Sequence, residues 1–202
     1  MRVFVSALPE KADLAARLPL LSEERRAWVE RAQSESMQRQ SAAAELLLRY
    51  ALSAVYRMEE LPPVLRRDGG KPYFPDHPEI CFNLSHCKCG AACAVSGAEV
   101  GVDIQDYRPV TPAVIRRVLC DAEQAFLRNA DDADAAFAYL WSRKEAYLKM
   151  RGCGIASDLS ALNALALADV TTQMFDRYAV SFCGADGASC DVELADVFED
   201  AP

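Results

Sequence analysis

The stretch from residue 59 to residue 79 constrains this chain more than any other. It holds five of the ten prolines, Pro62, Pro63, Pro72, Pro75 and Pro78, together with Gly69 and Gly70. Proline fixes φ and lacks an N–H donor, and an ordered glycine loses more backbone freedom than any other residue. At this density no regular element is expected across the stretch, and a connection of such length inside a compact chain is usually functional or disordered. It separates two kinds of sequence. Before it, MRVFVSALPEK reads as a first strand, and SEERRAWVERA (22–32) as a helix that starts at Ser22 with Glu23 and Glu24 in its first turn, an imperfect capping box. A longer helix follows over about 38–57, with Ala43, Leu46, Leu47 and Tyr50 forming a core-facing stripe at helical spacing.

After the break come three strand-like segments, EICFNL (79–84), AACAVS (91–96) and EVGVDIQ (99–105), with Gly90 and Gly97 in the turns; they predict an antiparallel meander. From about 111 the pattern is helical, through VIRRVLCDAEQAFL and then DADAAFAYLWSRKEAYLKMRG, with Gly152 and Gly154 as the stop. YAVSFCG (178–184) and CDVELADVF (190–198) read as a closing hairpin. This mixture predicts an α+β fold, and 202 residues suffice for one domain or two small lobes.

Composition narrows the function. No apolar run approaches the roughly 20 residues that cross a bilayer, and the first residues are too short a hydrophobic stretch for a secretory signal, so no membrane and a cytoplasmic location are expected. The eight cysteines are scattered without a Cys-x-x-Cys pair, and only His77 and His86 offer imidazole, so they read as free thiols. A net charge of −8 argues against a nucleic-acid partner. Arg25, Arg26, Arg31, Arg39 and Arg49 nevertheless gather early in the chain and leave room for a basic pocket.

Four segments carry candidate chemistry. In GVDIQ (101–105) a strand points Asp103 and Gln105 to one face, about 7 Å apart, and Val102 and Ile104 to the core. Such a pair shares a hard cation or simply faces solvent. In WSRKEAYLKMRGCG (141–154), Trp141, Glu145 and Lys149 share a helix face; this is either an ordinary ion pair or a second acidic ligand with a cation for phosphate. FNLSHC (82–87) delivers Ser85 and His86 at a strand end, suited to a phosphate or ring contact, although His86 reads equally as a partly buried imidazole. DGGKPYF (68–74) combines glycines that admit close backbone approach with Lys71, and Pro72 stiffens its exit.

In this order, GKP, FNLSH, GVDI and WSRKEAYLK, the motifs resemble the 4′-phosphopantetheinyl transferase superfamily, in its two-lobed type that activates nonribosomal peptide and polyketide synthases. The resemblance is clear over about residues 68–155 and weak elsewhere. It implies a pseudo-dimer of two similar α+β lobes, residues 1–101 and 102–202, each a small antiparallel sheet on helices, with coenzyme A in the cleft between. It implies holo-(acyl-carrier-protein) synthase chemistry: 4′-phosphopantetheine passes from coenzyme A to a serine of an apo acyl or peptidyl carrier protein, and 3′,5′-ADP is released. By the same resemblance Asp103, Gln105 and Glu145 hold Mg²⁺ or Mn²⁺, and Glu145 and Lys149 are catalytic. Arg25, Gln40, Ser41, Lys71, Pro72, Ser85, His86, Lys144 and Lys149 contact coenzyme A, with Arg26 beside Arg25. Ile115, Arg116 and Arg117 are candidate carrier contacts, and a monomer is expected. One departure stands out: many relatives carry an acid where this chain has Gln105, so weaker metal binding is expected. The rival readings are a non-catalytic coenzyme A- or carrier-binding module, and a small regulatory protein using its cysteines for metal.

Overall fold

Strand β1 (Arg2–Ala7) is buried on both faces: Phe4 packs to one side and Val3 and Val5 to the other. That double burial organises the molecule into layers. The computed structural model describes residues 1–9, 13–153, 159–185, 190 and 192–199. In chain order β1 is followed by the short helix α1 (Leu14–Arg17), α2 (Glu23–Arg31), α3 (Glu35–Tyr56), β2 (Leu65–Arg66), β3 (Pro72–Tyr73), β4 (Cys81–His86), β5 (Gly90–Ser96) and β6 (Val100–Asp106). Then come α4 (Pro112–Val118), α5 (Asp121–Arg128), α6 (Ala133–Arg151), β7 (Thr171–Met174), β8 (Tyr178–Gly184) and β9 (Val192–Leu194). The fold is α+β, as expected from the sequence.

The first sheet runs β4-β5-β1-β9 and the second β6-β8-β7. Helix α3 covers the outer face of the first sheet, where Leu46, Leu47, Leu48 and Leu52 meet Phe4, Phe82, Cys93 and Val95. The inner face presents Val3, Val5, Ala92 and Ala94 to Val100, Val102, Ile104, Val180 and Phe182 of the second sheet. Helix α6 closes the far side: Ala146 clusters with Cys183, and Ser142 shares a hydrogen bond with Ser181. The order is therefore helix, sheet, sheet, helix. Ser22 caps α2 as the sequence suggests, while α3 starts at Glu35, ahead of the expected 38, because Ser34 caps it; the two serines accept from the Arg25 and Met37 N–H groups, and Gly152 in the left-handed region (φ 67°) stops α6. Gly154, the other expected stop, lies outside the described residues.

Three expectations are corrected. The segments 79–105 are not one meander, because β5 is already paired along both edges, by β4 and β1; β6 leaves and pairs with β8 instead. The tail is not a hairpin. β8 sits between β6 and β7, while β9 runs parallel to β1 and is anchored as Val197 enters the first core and its N–H donates to Ser6 Oγ. A strand from the second half of the chain thus completes the first sheet, and β6 begins one residue before Gly101. Finally, the proline-rich stretch contains the two-residue ladder β2–β3, turned at Gly70 with φ 80°.

The backbones of β6 and α6 approach closely at Gly101. A Cβ on Gly101 would lie 2.0 Å from the Ala146 carbonyl oxygen and 2.5 Å from the Met150 nitrogen. We expect Gly101→Ala to lower unfolding free energy by about 2–3 kcal/mol through overpacking, measured by urea denaturation.

Candidate active site

The site forms where the layers share strand β6. Alternation along β6 sends Val102 and Ile104 inward and turns Asp103 toward α6 and the end of β4. On α6, Glu145 and Lys149 lie one turn apart on the face that meets β6. Lys149 Nζ donates to Asp103 Oδ1 at 2.6 Å, to Ser85 Oγ at 2.9 Å and to the Val102 carbonyl at 3.3 Å. Ser85 Oγ in turn donates to Asp103 Oδ1 at 2.7 Å. Asp103 and Glu145 are both buried, and Asp103 Oδ2 and Glu145 Oε1 have no hydrogen-bond partner among the described residues. Burial raises the Glu145 pKa above the usual carboxylate value; the Asp103 charge adds to the rise and Lys149 opposes it.

A second set of groups continues from Ser85. His86 Nδ1 lies 3.3 Å from Gln40 Oε1, and Gln40 Nε2 donates to Ser36 Oγ. The His86 pKa is lowered, first by burial and then by the Lys149 and Arg25 cations, with Asp103 opposing; the ring is held neutral at neutral pH. Arg25 donates from an η nitrogen to Ser41 Oγ at 2.9 Å and pairs through Nε with Glu45 Oε2 at 3.3 Å. Glu45 also accepts the Ser22 N–H and Oγ–H, so one buried carboxylate fixes both the start of α2 and the direction of Arg25. Sequence reasoning missed Glu45. The only local signal is an acid inside the apolar run AAAELLL.

The structure therefore brings together Arg25, Gln40, Ser41, Ser85, His86, Asp103, Glu145 and Lys149. It does not bring in all the rest. Lys144 is fully buried on the opposite face of α6, where Nζ donates to Glu123 Oε2 at 2.6 Å and to the Val118 and Leu159 carbonyls. Lys71 is spent at the other end of β6: its Nζ pairs with Glu99 and donates to the Val100 and Met150 carbonyls, and Pro72 follows it into β3. Gln105 is buried with its amide NH₂ donating to the Asp106 carbonyl and carboxylate. Arg26 turns to the Pro19 and Leu21 carbonyls. On α4, Arg116 and Arg117 are exposed while Ile115 packs on the core of the second half.

Among the described residues no three His, Cys, Asp or Glu side chains gather as a metal site. Two orphaned, buried carboxylate oxygens nonetheless fit a hard cation that keeps waters and takes substrate oxygens for its other positions. Cys81, Cys87, Cys89, Cys93, Cys120, Cys153 and Cys183 are free thiols. None of the described helices is long and apolar enough to cross a membrane.

A family model described as the 4′-phosphopantetheinyl transferase superfamily matches residues 99–196. The chain is 33% identical to the 4′-phosphopantetheinyl transferase psf-1 of Bacillus pumilus over 173 residues, covering 81% of this chain and 74% of that protein. It is 28% identical to Sfp of Bacillus subtilis over 122 residues, 59% of this chain and 54% of that protein, and 35% identical to AcpT of Salmonella typhimurium over 115 residues, 54% and 57%. The matches to Sfp and AcpT thus span little more than half of each relative.

Two outcomes follow from the burial of these charges. Lys144→Ala leaves Glu123 buried and unpaired and should cost about 3–5 kcal/mol of stability, read from urea unfolding; ligand affinity of the folded fraction should not change. Because the folded state holds the Glu145 proton more tightly than the unfolded chain, stability falls as pH rises from the ordinary carboxylate range through the raised value. In metal-free buffer at neutral pH, Glu145→Gln should therefore melt about 2–4 °C higher than wild type. The gain should vanish below about pH 4.

Proposed function

Because the chain belongs to the 4′-phosphopantetheinyl transferase superfamily, we propose that it moves the 4′-phosphopantetheine arm of coenzyme A onto a serine hydroxyl of an apo acyl or peptidyl carrier protein. The observation that carries this reading is the pair of buried, unpartnered oxygens on Asp103 and Glu145 with the Lys149 ammonium beside them. Asp103 and Glu145 are the residues that would hold Mg²⁺ or Mn²⁺, completed by water and the coenzyme A pyrophosphate. When bound, the ion would neutralise charge on that pyrophosphate as its bridging bond breaks.

The chain's own residues supply the remaining steps. The serine oxygen bonds to the phosphorus that bears the pantetheine arm, and the bond from that phosphorus to the bridging oxygen breaks, releasing 3′,5′-ADP. Glu145 takes the serine proton. Lys149 donates to the leaving phosphate oxygen. Ser85 holds Asp103 Oδ1 in place. Gln40, Ser41, Arg25 and the neutral His86 ring line the approach for the nucleotide end.

With this reading go two lobes, residues 1–101 and 102–202, enclosing the coenzyme A cleft, and a monomer as the working unit. The exposed Val114, Arg116 and Arg117 of α4 offer an apolar and basic face to an acidic carrier. Free thiols at Cys81, Cys87, Cys89, Cys93, Cys120, Cys153 and Cys183 suit the reducing cytoplasm. A second reading, a non-catalytic coenzyme A- or carrier-binding module, draws on Gln105, whose amide adds no charge and is engaged by Asp106.

Incubation with coenzyme A, Mg²⁺ and an apo carrier domain separates the two. The carrier should gain the mass of one phosphopantetheine in intact-protein mass spectrometry, and chelation should stop the gain. Coenzyme A binding without mass gain would favour the module. Glu145→Gln should lower turnover at least 100-fold, in the range of a lost general base, while remaining folded.

A further inference from the structure

At the site the inner face of β4 meets the edge of β6 that turns away from β8. Among the described residues β4 pairs only with β5 and β6 only with β8, so no ladder joins the two sheets. Side chains of β4 bridge the gap. The Val102 N–H of β6 donates to Asn83 Oδ1 of β4 at 3.0 Å, in a buried contact. Two residues further along β4, Ser85 Oγ donates to Asp103 Oδ1. Asn83 and Ser85 share one face of β4, and they engage consecutive residues of β6. Val102 is held at both backbone groups, its N–H by Asn83 and its carbonyl by Lys149, immediately before the carboxylate of Asp103.

Asparagine is disfavoured inside a strand, and a buried amide is costly unless it is hydrogen-bonded. Asn83 is 5% exposed. Its neighbours on β4, Phe82 and Leu84, face the core under α3, so Asn83 adds nothing to that core. What it does contribute is an acceptor for a Val102 N–H that points away from β8 and would otherwise be buried unpaired.

We infer that Asn83 is a positioning residue for the transfer reaction: its side-chain oxygen locks β6 against β4 in the one alignment that sets Asp103 against Ser85 and Lys149. The inference rests on the reading of the preceding subsection. Without the lock β6 keeps its ladder to β8, but Asp103 is free to shift relative to Ser85 and toward or away from Glu145. The defect should fall on turnover and on the Mg²⁺ requirement, not on carrier affinity.

The test compares Asn83→Leu, which keeps the branched heavy-atom outline and removes the acceptor, with Asn83→Asp, which keeps the oxygen. In Asn83→Leu, kcat should fall at least tenfold and the Mg²⁺ concentration for half-maximal rate should rise at least fivefold, while the KM for the carrier stays within twofold. Amide hydrogen exchange at Val102, followed by NMR without ligand or metal, should accelerate at least tenfold. Asn83→Asp should restore both rate and exchange protection to within about threefold of wild type. Should Asn83→Leu fail to fold, Asn83→Ser, too short to reach Val102, takes its place. The inference is overturned if the leucine or serine variant keeps wild-type kcat and Mg²⁺ dependence, if rate falls only with the folded fraction, or if the aspartate variant is no better. If wild-type protein leaves the carrier's mass unchanged, the transferase reading falls, and unaltered Val102 exchange in the leucine variant would separately overturn the lock.

Discussion

Strand β6 is held from three sides, and the site is a consequence of that. β8 binds one edge through a seven-residue ladder, the first sheet packs on its inner face, and α6 lies so close to its outer face that only glycine fits at position 101. The close approach at Gly101 brings the α6 backbone down onto the strand just before Asp103. Lys149 reaches Asp103 because of it. Glu145, one turn earlier on α6, is buried near enough for the Asp103 charge to raise its pKa.

The charges gathered there are incompletely satisfied. Lys149 neutralises one carboxylate, while Asp103 Oδ2 and Glu145 Oε1 have no hydrogen-bond partner among the described residues. A buried acceptor left unpaired by the protein costs free energy unless another group meets it. On its other faces α6 holds buried charges that are fully paired. Glu123 accepts from Lys144 and from the Cys120 and Ala164 N–H groups, and the Arg143 guanidinium donates to carbonyls of the chain after α6. The contrast separates groups that tie α6 into its layer from the Asp103 and Glu145 oxygens that the described residues leave unpartnered.

Much of this was legible beforehand, for physical reasons that can be named. The period of a strand puts Asp103 on the face opposite Val102 and Ile104, and the period of a helix puts Glu145 and Lys149 on one face, but neither period says whether these groups do chemistry, which was read from the order of the four motifs. A capping residue, Ser22, marked the start of α2 in the same way, whereas the Ser34 cap of α3 was missed. The strand pairings were not legible. Whether β6 joins β5 depends on whether β1 has already taken that edge, and β1 is nearly a whole lobe away in the chain.

By itself the amino-acid order determined which side chains can do chemistry and which way each points from its own strand or helix, because those are properties of a few consecutive residues. Only the tertiary structure decided which of them meet. Lys144 and Lys149 belong to the same motif, yet one is sealed against Glu123 and the other faces Asp103. Lys71 is consumed by two carbonyls and Glu99, while Asn83 and Glu45, unremarkable in their own segments, hold β6 and Arg25 in place. A side chain's partner is set by packing between distant segments, and no local period encodes it.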